Sequence, residues 1–224
     1  MNTPLRLLIH GASGRMGQAL QRLAADNPLL TVAASTGRSD IHSLQNAPEF
    51  DVAIDFSSPE GFDAVLALCL ARKKPLVSGT TGLSAEQFIA LKTAGQSIAV
   101  LWASNFSLGV AVLNDLVQRT AQTLQSWGVE ITETHHVHKL DSPSGTALSF
   151  GQSVANVAGQ IPTYISHRQG EVIGDHTVKF STPGEFIELR HNALNRDIFA
   201  FGALFAAEKL LTKVSGVYKF GDLL

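Results

Sequence analysis

The sequence is poor in cysteine. Cys69 is the only one in 224 residues, so no internal disulfide forms and no zinc site rests on several thiolates. Charge is scarce too. Charged residues make up 16% of the chain, with 17 Lys and Arg against 19 Asp and Glu, a formal net charge of −2. A general nucleic-acid or anionic-membrane binder needs a basic excess, and none is present. Long apolar runs are missing as well, and none approaches the roughly 20 residues of a membrane-spanning helix. The start, Met1-Asn2-Thr3-Pro4, lacks the basic residues and extended apolar stretch of a signal peptide. These absences predict a soluble cytoplasmic protein with no nucleic-acid or membrane partner.

What is present is a chain that is 45% hydrophobic, enough for a sizeable core and long enough for one or two domains. Its first half alternates short apolar runs with helical spacing. Strands are expected at 5–10, 30–34, 51–56, 76–77 and 98–102, with helices at 15–25, 60–72 and 84–94. Such alternation predicts an α/β fold with a Rossmann-like, doubly wound parallel sheet. After Asn105 the pattern changes. Helices at 107–125, 145–158 and 197–213 accompany strand candidates at 129–134, 163–166, 178–180 and 186–189. Strands that follow one another without helices predict a second α+β domain containing a mixed sheet.

Gly11-Ala12-Ser13-Gly14-Arg15-Met16-Gly17 lies between the first strand and the first helix. Glycines there allow a tight turn and close backbone approach to a pyrophosphate, and the helix start offers unpaired N–H groups. The spacing G-x-x-G-x-x-G is a variant of the dinucleotide fingerprint, so an ordinary structural turn is the competing reading. The fingerprint expects an acid about 20 residues later to hold a ribose. The second strand ends instead in Thr36-Gly37-Arg38, with Asp40 slightly late. Arg38, backed by Arg15, suits a 2′-phosphate, which places NADPH ahead of NADH. Two further segments follow predicted strands: Gly79-Thr80-Thr81-Gly82 and Ala103-Ser104-Asn105-Phe106. Their small polar side chains suit ribose or carboxamide contacts, although such residues also favour turns in general.

Three of the eight histidines fall in Glu133-Thr-His135-His136-Val-His138-Lys139-Leu-Asp141-Ser-Pro143-Ser-Gly145-Thr146. Positions 135 and 139 share a side in a strand or a helix, so His135 and Lys139 can address one ligand. Ser142-Pro143 suits a helix cap and first helical residue. The N–H groups of Gly145 and Thr146 would then form an anion site. Three readings compete: a metal site, a surface cluster without function, and a catalytic acid beside an anion-binding site. No metalloprotease-type spacing and no well-spaced Cys or Glu supports the metal. A histidine near its usual pKa of about 6.5 can donate a proton at neutral pH.

With these residues assembled, the chain resembles the dihydrodipicolinate reductase (4-hydroxy-tetrahydrodipicolinate reductase) family of the lysine pathway. The resemblance rests on the glycine turn, Asp55-Phe56 with Pro59, Gly79–Gly82, Asn105-Phe106-Ser107 and above all His135–Ala147. Gly174–Thr177 and Arg196–Ala200 add to it. It implies an NAD(P)H-dependent oxidoreductase that reduces a cyclic unsaturated imine bearing two carboxylates. It implies a dinucleotide-binding domain of residues 1–106 and 193–224, and a substrate-binding and oligomerisation domain of 107–192 that builds a homotetramer. His135 and Lys139 match the acid residues, and His136, Gly145 and Thr146 match substrate contacts. Gly11, Ala12, Ser13, Gly14, Arg15, Met16, Arg38, Gly79, Thr80, Thr81, Ala103, Ser104, Asn105 and Phe106 match cofactor contacts. No metal is implied, and His138 receives no role. Two departures stand out. Gly37 stands where many relatives carry a glutamate, which favours NADPH, and the segments at 38–50 and 164–172 are short. A metal-dependent hydrolase and a non-enzymatic NADPH-sensing module are the rival functions.

Overall fold

Short apolar segments of the first half become parallel strands. The computed structural model describes residues 3–37 and 40–224, less the side chain of Ile41. In chain order it forms β1 (Leu5–His10), α1 (Arg15–Ala25), β2 (Leu30–Thr36), α2 (Ile41–Gln45), β3 (Val52–Asp55), α3 (Pro59–Arg72), β4 (Leu76–Ser78), α4 (Ala85–Ala94) and β5 (Ala99–Trp102). There follow α5 (Leu108–Thr123), β6 (Gly128–His135), α6 (Gly145–Ala158), β7 (Thr163–Arg168), β8 (Gly174–Ser181), β9 (Phe186–Ala193), α7 (Asp197–Leu210), β10 (Gly216–Tyr218) and a final 3-10 turn, Phe220–Leu223. The chain divides into two units, one running to Phe106 and including Phe199–Leu224, the other Ser107–Ile198.

The first unit holds a six-stranded sheet in the order β10-β5-β4-β3-β1-β2, parallel at every pairing. β3 and β4 are buried at every position. Strands buried on both faces read as unbroken apolar runs, which is why so few residues sufficed to reveal them. The chain runs from β1 outward to β2, then returns to β3 on the other side of β1. The strand order therefore reverses between β1 and β3, and ligands of such sheets sit at the carboxyl ends beside that reversal. The glycine turn follows β1 at this point.

The second unit holds a four-stranded mixed sheet, β7-β6-β8-β9. β6 pairs parallel with β7 and antiparallel with β8, and β8 pairs antiparallel with β9. β6 from Val129 onward and the whole of β8 alternate between buried and half-buried residues. Their inner face starts apolar, with Val129, Ile131, Val178 and Phe180 packed among Leu113 and Val117 of α5 and Phe150 and Val154 of α6. Toward one end the same face turns polar, with Glu133, His135 and His176 still buried. A period of two dictates this: residues 129, 131, 133 and 135 share one face.

Both expected architectures are present. Three elements escaped the sequence reading: β10, α2 and the 3-10 turn Phe220–Leu223. β10 is three residues long and joins the sheet edge by pairing with β5. α2 is five residues long and rests on Asp40, whose carboxylate accepts the Ser43 N–H at 3.0 Å. The expected cap at Ser142-Pro143 is corrected. α6 begins at Gly145, and Ser144 is its cap, accepting the Ala147 N–H at 3.2 Å. Ser144 wins because its hydroxyl, three residues before Ala147, reaches the N–H that a cap must satisfy. Among the described residues, no helix is long and apolar enough to cross a membrane.

Candidate active site

In the first unit, the three predicted cofactor segments follow β1, β4 and β5 on the carboxyl edge of the parallel sheet. Gly11 has φ of +82°, and Gly17 is buried against it. A Cβ on Gly17 would lie 2.4 Å from the Gly11 carbonyl oxygen and 2.5 Å from the Ala12 Cα. The turn is thus closed around bare backbone, as approach to a phosphate requires. Gly14 caps α1 without a side-chain hydrogen bond, so no side-chain cap covers the positive end of the helix.

Below this edge lies a buried carboxylate to which the sequence reading gave no structural role. Asp55 accepts from the Ser57 N–H at 3.1 Å, the Ser57 hydroxyl at 2.5 Å, the Ser78 hydroxyl at 2.8 Å and the Thr80 hydroxyl at 2.8 Å. It pins the loops after β3 and β4 to each other. The Thr80 hydroxyl is therefore engaged within the protein, donating to Asp55 and accepting the Ser57 N–H at 2.9 Å. Thr81 and Ser104 are exposed. Phe106 is buried, with its ring edge-on to Phe56 at 5.4 Å and Phe220 at 5.3 Å, and its carbonyl packs against Gly202. Asn105 and Ala103 are half-buried beside it, as are Gly79, Met16, Gly14 and Ala12, while Ser13 and Arg15 are exposed. Arg38 lies outside the described residues.

In the second unit the polar end of the sheet face forms one connected cluster. Strand register sets it out: Arg168 of β7 stands opposite His135, His176 of β8 opposite Glu133, and His191 of β9 opposite His176. Glu133, 1% exposed, meets His135 Nδ1 at 2.5 Å and the guanidinium of Arg168 at 2.9 and 3.0 Å. It also accepts the Ser144 N–H at 3.3 Å. Burial acts to raise the Glu133 pKa, but hydrogen bonds from Arg168, His135 and Ser166 outweigh it and hold the pKa down at about 2. For His135, burial lowers the pKa. The Glu133 carboxylate opposes that, while Lys139 and Arg168 add to it. On balance the His135 pKa lies below the usual imidazole value. His135 Nε2 looks over Gly174, where a Cβ would come within 3.0 Å.

The parity argument for His135 and Lys139 is corrected. β6 stops at His135, and the chain reverses, with the Lys139 N–H bonded to the His136 carbonyl at 3.1 Å. Lys139 returns through a turn whose carbonyls are held by Arg168, Lys139 O at 3.2 Å and Asp141 O at 2.6 Å. The Lys139 ammonium donates to the Asp141 carboxylate at 2.7 Å. That bond and the N–H of Gly145 help hold the Asp141 carboxyl below its usual pKa. A carboxylate thus already rests on Lys139 and the start of α6. His136 is half-buried and His138 exposed, their rings 6.3 Å apart. Among the described residues, no group of three or more His, Cys, Asp or Glu is arranged to hold a metal ion.

Residues 5–106 match the family described as dihydrodipicolinate reductase, N-terminus, and residues 109–224 match dihydrodipicolinate reductase, C-terminus. The chain belongs to the dihydrodipicolinate reductase family. It is 56% identical over 236 aligned positions to the 4-hydroxy-tetrahydrodipicolinate reductase of Stenotrophomonas maltophilia (strain R551-3), covering 99% of this chain and 98% of that one. It is 52% identical to the reductase of the same name from Xylella fastidiosa (strain 9a5c), covering all of both chains. Its fold is similar to a solved structure, the dipicolinate-bound dihydrodipicolinate reductase from Paenisporosarcina sp. TG-14, with a TM-score of 0.83 and 24% identity over 99% of this chain and 100% of that chain.

The sequence reading did not foresee that Arg168, His176 and His191 would join Glu133 and His135 in one polar cluster. One signal was available: period two in β6 puts a carboxylate on the buried face, and a buried carboxylate demands a cation. The buried histidines carry a stability consequence. Burial lowers the pKa of His10, His176 and His191, that of His176 to about 4. The unfolded chain takes up protons at about 6.5, so it binds more protons than the folded one below that pH. Stability is full above pH 6.5 and falls as pH drops toward 4, by about 3 kcal/mol from His176 alone. Urea unfolding between pH 7.5 and 4.5 checks this, and a flat midpoint across that range contradicts it.

Proposed function

We propose that this chain is a 4-hydroxy-tetrahydrodipicolinate reductase of lysine and diaminopimelate biosynthesis, using NAD(P)H and yielding tetrahydrodipicolinate and water: the 4-hydroxyl leaves as water, and the ring takes up one hydride and one proton. The observation that carries the reading is the Glu133–His135 pair beside Lys139 and the start of α6, in a chain whose whole length matches that family. The bare-backbone turn at Gly11 and Gly17 fits a pyrophosphate. Gly11–Met16, Gly79–Thr81 and Ala103–Phe106 would hold the dinucleotide. When bound, the nicotinamide supplies a hydride. The protein supplies the rest. Lys139 and the N–H groups of Gly145 and Thr146 bind one substrate carboxylate in the place where Asp141 now rests. The negative charge of the substrate raises the His135 pKa, and His135 Nε2 delivers the proton that balances the hydride. His136 contributes a further substrate contact.

NADPH is the preferred donor. Asp40, the carboxylate nearest the ribose position in sequence, is engaged in capping α2, which supports a 2′-phosphate held by Arg38. The assembly is a homotetramer. The outer face of the mixed sheet, with Glu130, Thr132, Asp175, Lys179, Glu188 and Arg190 around one groove, supports self-association because opposite charges sit side by side on it. Localisation is cytoplasmic.

Oxidation of NADPH and NADH, followed at 340 nm with freshly made 4-hydroxy-tetrahydrodipicolinate, tests activity and preference together. Turnover is expected with both donors, with the lower KM for NADPH. Arg38→Ala raises the NADPH KM about 10-fold or more, the loss of one charge-assisted contact, and leaves the NADH KM near its starting value. Equal losses for both donors would remove the 2′-phosphate assignment. No turnover with either would remove the function.

A further inference from the structure

Arg168 has five N–H donors, and all five are engaged. Nε donates to the Lys139 carbonyl. One terminal nitrogen donates to Glu133 Oε2 and the His167 carbonyl. The other donates to Glu133 Oε1 and the Asp141 carbonyl. Glu133 is used as fully: Oε2 takes His135 and Arg168, and Oε1 takes Arg168 and the Ser144 N–H. One buried ion pair therefore joins the three parts of the substrate site: the acid ring, the lysine turn and the start of α6.

We propose that Glu133 and Arg168 are the positioning pair of this site. Glu133 fixes the His135 ring with Nδ1 bonded and Nε2 presented, and Arg168 spends its remaining donors tethering the turn that carries Lys139. The inference rests on the reductase reading above and adds two residues to it. Its physics is that of a buried carboxylate behind an imidazole. The carboxylate selects the tautomer that carries hydrogen on Nδ1 and supports the cation that forms on Nε2. A guanidinium behind the carboxylate moderates that support, so the ring stays titratable instead of permanently charged. Other groups facing His135 do not replace this. His176 on β8 lies ring-to-ring at 5.2 Å and is kept neutral by burial. Lys139 in the turn opposes protonation. The start of α6 brings the uncharged Ser144, whose hydroxyl is 3.1 Å from His176 Nε2.

The two residues have separable signatures. Glu133→Gln keeps an acceptor for Nδ1–H and removes the charge. In the full chain without substrate, the His135 imidazole 15N titration midpoint falls by about one pH unit or more. With substrate, the alkaline limb of the kcat/KM profile moves down by a similar step, and kcat at pH 7.5 falls about 10-fold while the NADPH Kd is unchanged. Glu133→Asp recovers part of that kcat. Arg168→Lys keeps the charge but loses the fork. It raises the substrate KM about 10-fold, through the lysine turn, with the His135 midpoint little changed. An E133Q midpoint and profile that overlay the parent overturn the proposal. If E133Q does not fold, an R168K substrate KM equal to the parent's overturns it. The titration needs no substrate, so a shifted midpoint in a chain that reduces nothing removes the reductase reading and leaves the positioning pair standing.

Discussion

His135→Gln lowers kcat by about 10²–10⁴-fold, the usual contribution of a positioned general acid, and leaves the NADPH Kd unchanged. Glutamine keeps a donor toward Glu133, which remains paired with Arg168, so the buried carboxylate is not orphaned and the fold survives. What is lost is a group that can release a proton near neutral pH. The binding turn for the cofactor belongs to the other unit, so its affinity is a control within the same sample. The pH profile gives a second check. Burial lowers the pKa of the empty site's ring, while a bound dicarboxylate raises it. The limb of kcat/KM, which reports the free enzyme, therefore falls at lower pH than the limb of kcat. Stopped assays from pH 5.5 to 9 measure both. A variant with undiminished kcat would remove His135 from the chemistry.

Gly17→Ala is expected to disable the other half of the reaction. Its Cβ would press on the Gly11 carbonyl at 2.4 Å and on Ala12 backbone atoms at 2.5 and 2.8 Å. Backbone cannot rotate aside as a side chain can, so the turn itself must move. Overpacking of this kind costs about 1–3 kcal/mol. Because the displaced atoms are those that approach the phosphates, the cofactor Kd weakens by about 10-fold or more. Calorimetric titration of NADPH measures it, and urea unfolding gives the stability loss separately. An unchanged Kd would show that the turn does not face the dinucleotide. The His135 titration midpoint stays where it was, since the polar cluster lies in the second unit.

These two sites differed in how plainly the sequence announced them. The glycine turn was legible because it sits between an unbroken apolar strand and an amphipathic helix, and only glycine fits a closed turn there. The His135–Lys139 segment was legible by its density of imidazoles. Its geometry was not. The reading stopped β7 at Ser166 and started β8 at Val178, where the apolar signal ends, yet β7 runs on to Arg168 and β8 begins at Gly174. The missing residues are polar because the sheet face turns from core into site at that end. Hydrophobic periodicity fades where the chemistry begins, so Arg168 and His176 dropped out together. β10 was hidden for another reason. Three residues, Gly216-Val-Tyr218, carry no pattern of their own, and pairing with β5 alone makes them a strand. Asp55 was read inside the strand at 51–56 and as part of the family resemblance, and nothing local reveals that four hydrogen bonds from Ser57, Ser78 and Thr80 converge on it.

The central claim is that this chain moves a hydride from a nicotinamide to a cyclic imine and balances it with a proton. Single-turnover reaction with NADPH deuterated at both C4 positions addresses that claim directly, with the product read by mass spectrometry. Tetrahydrodipicolinate heavier by one deuterium is the predicted result, with a slower rate than for the unlabelled donor if hydride transfer limits that turnover. Unlabelled product, or bound NADPH that is never oxidised, would contradict it: the first is the outcome for a hydrolase, the second for a sensor.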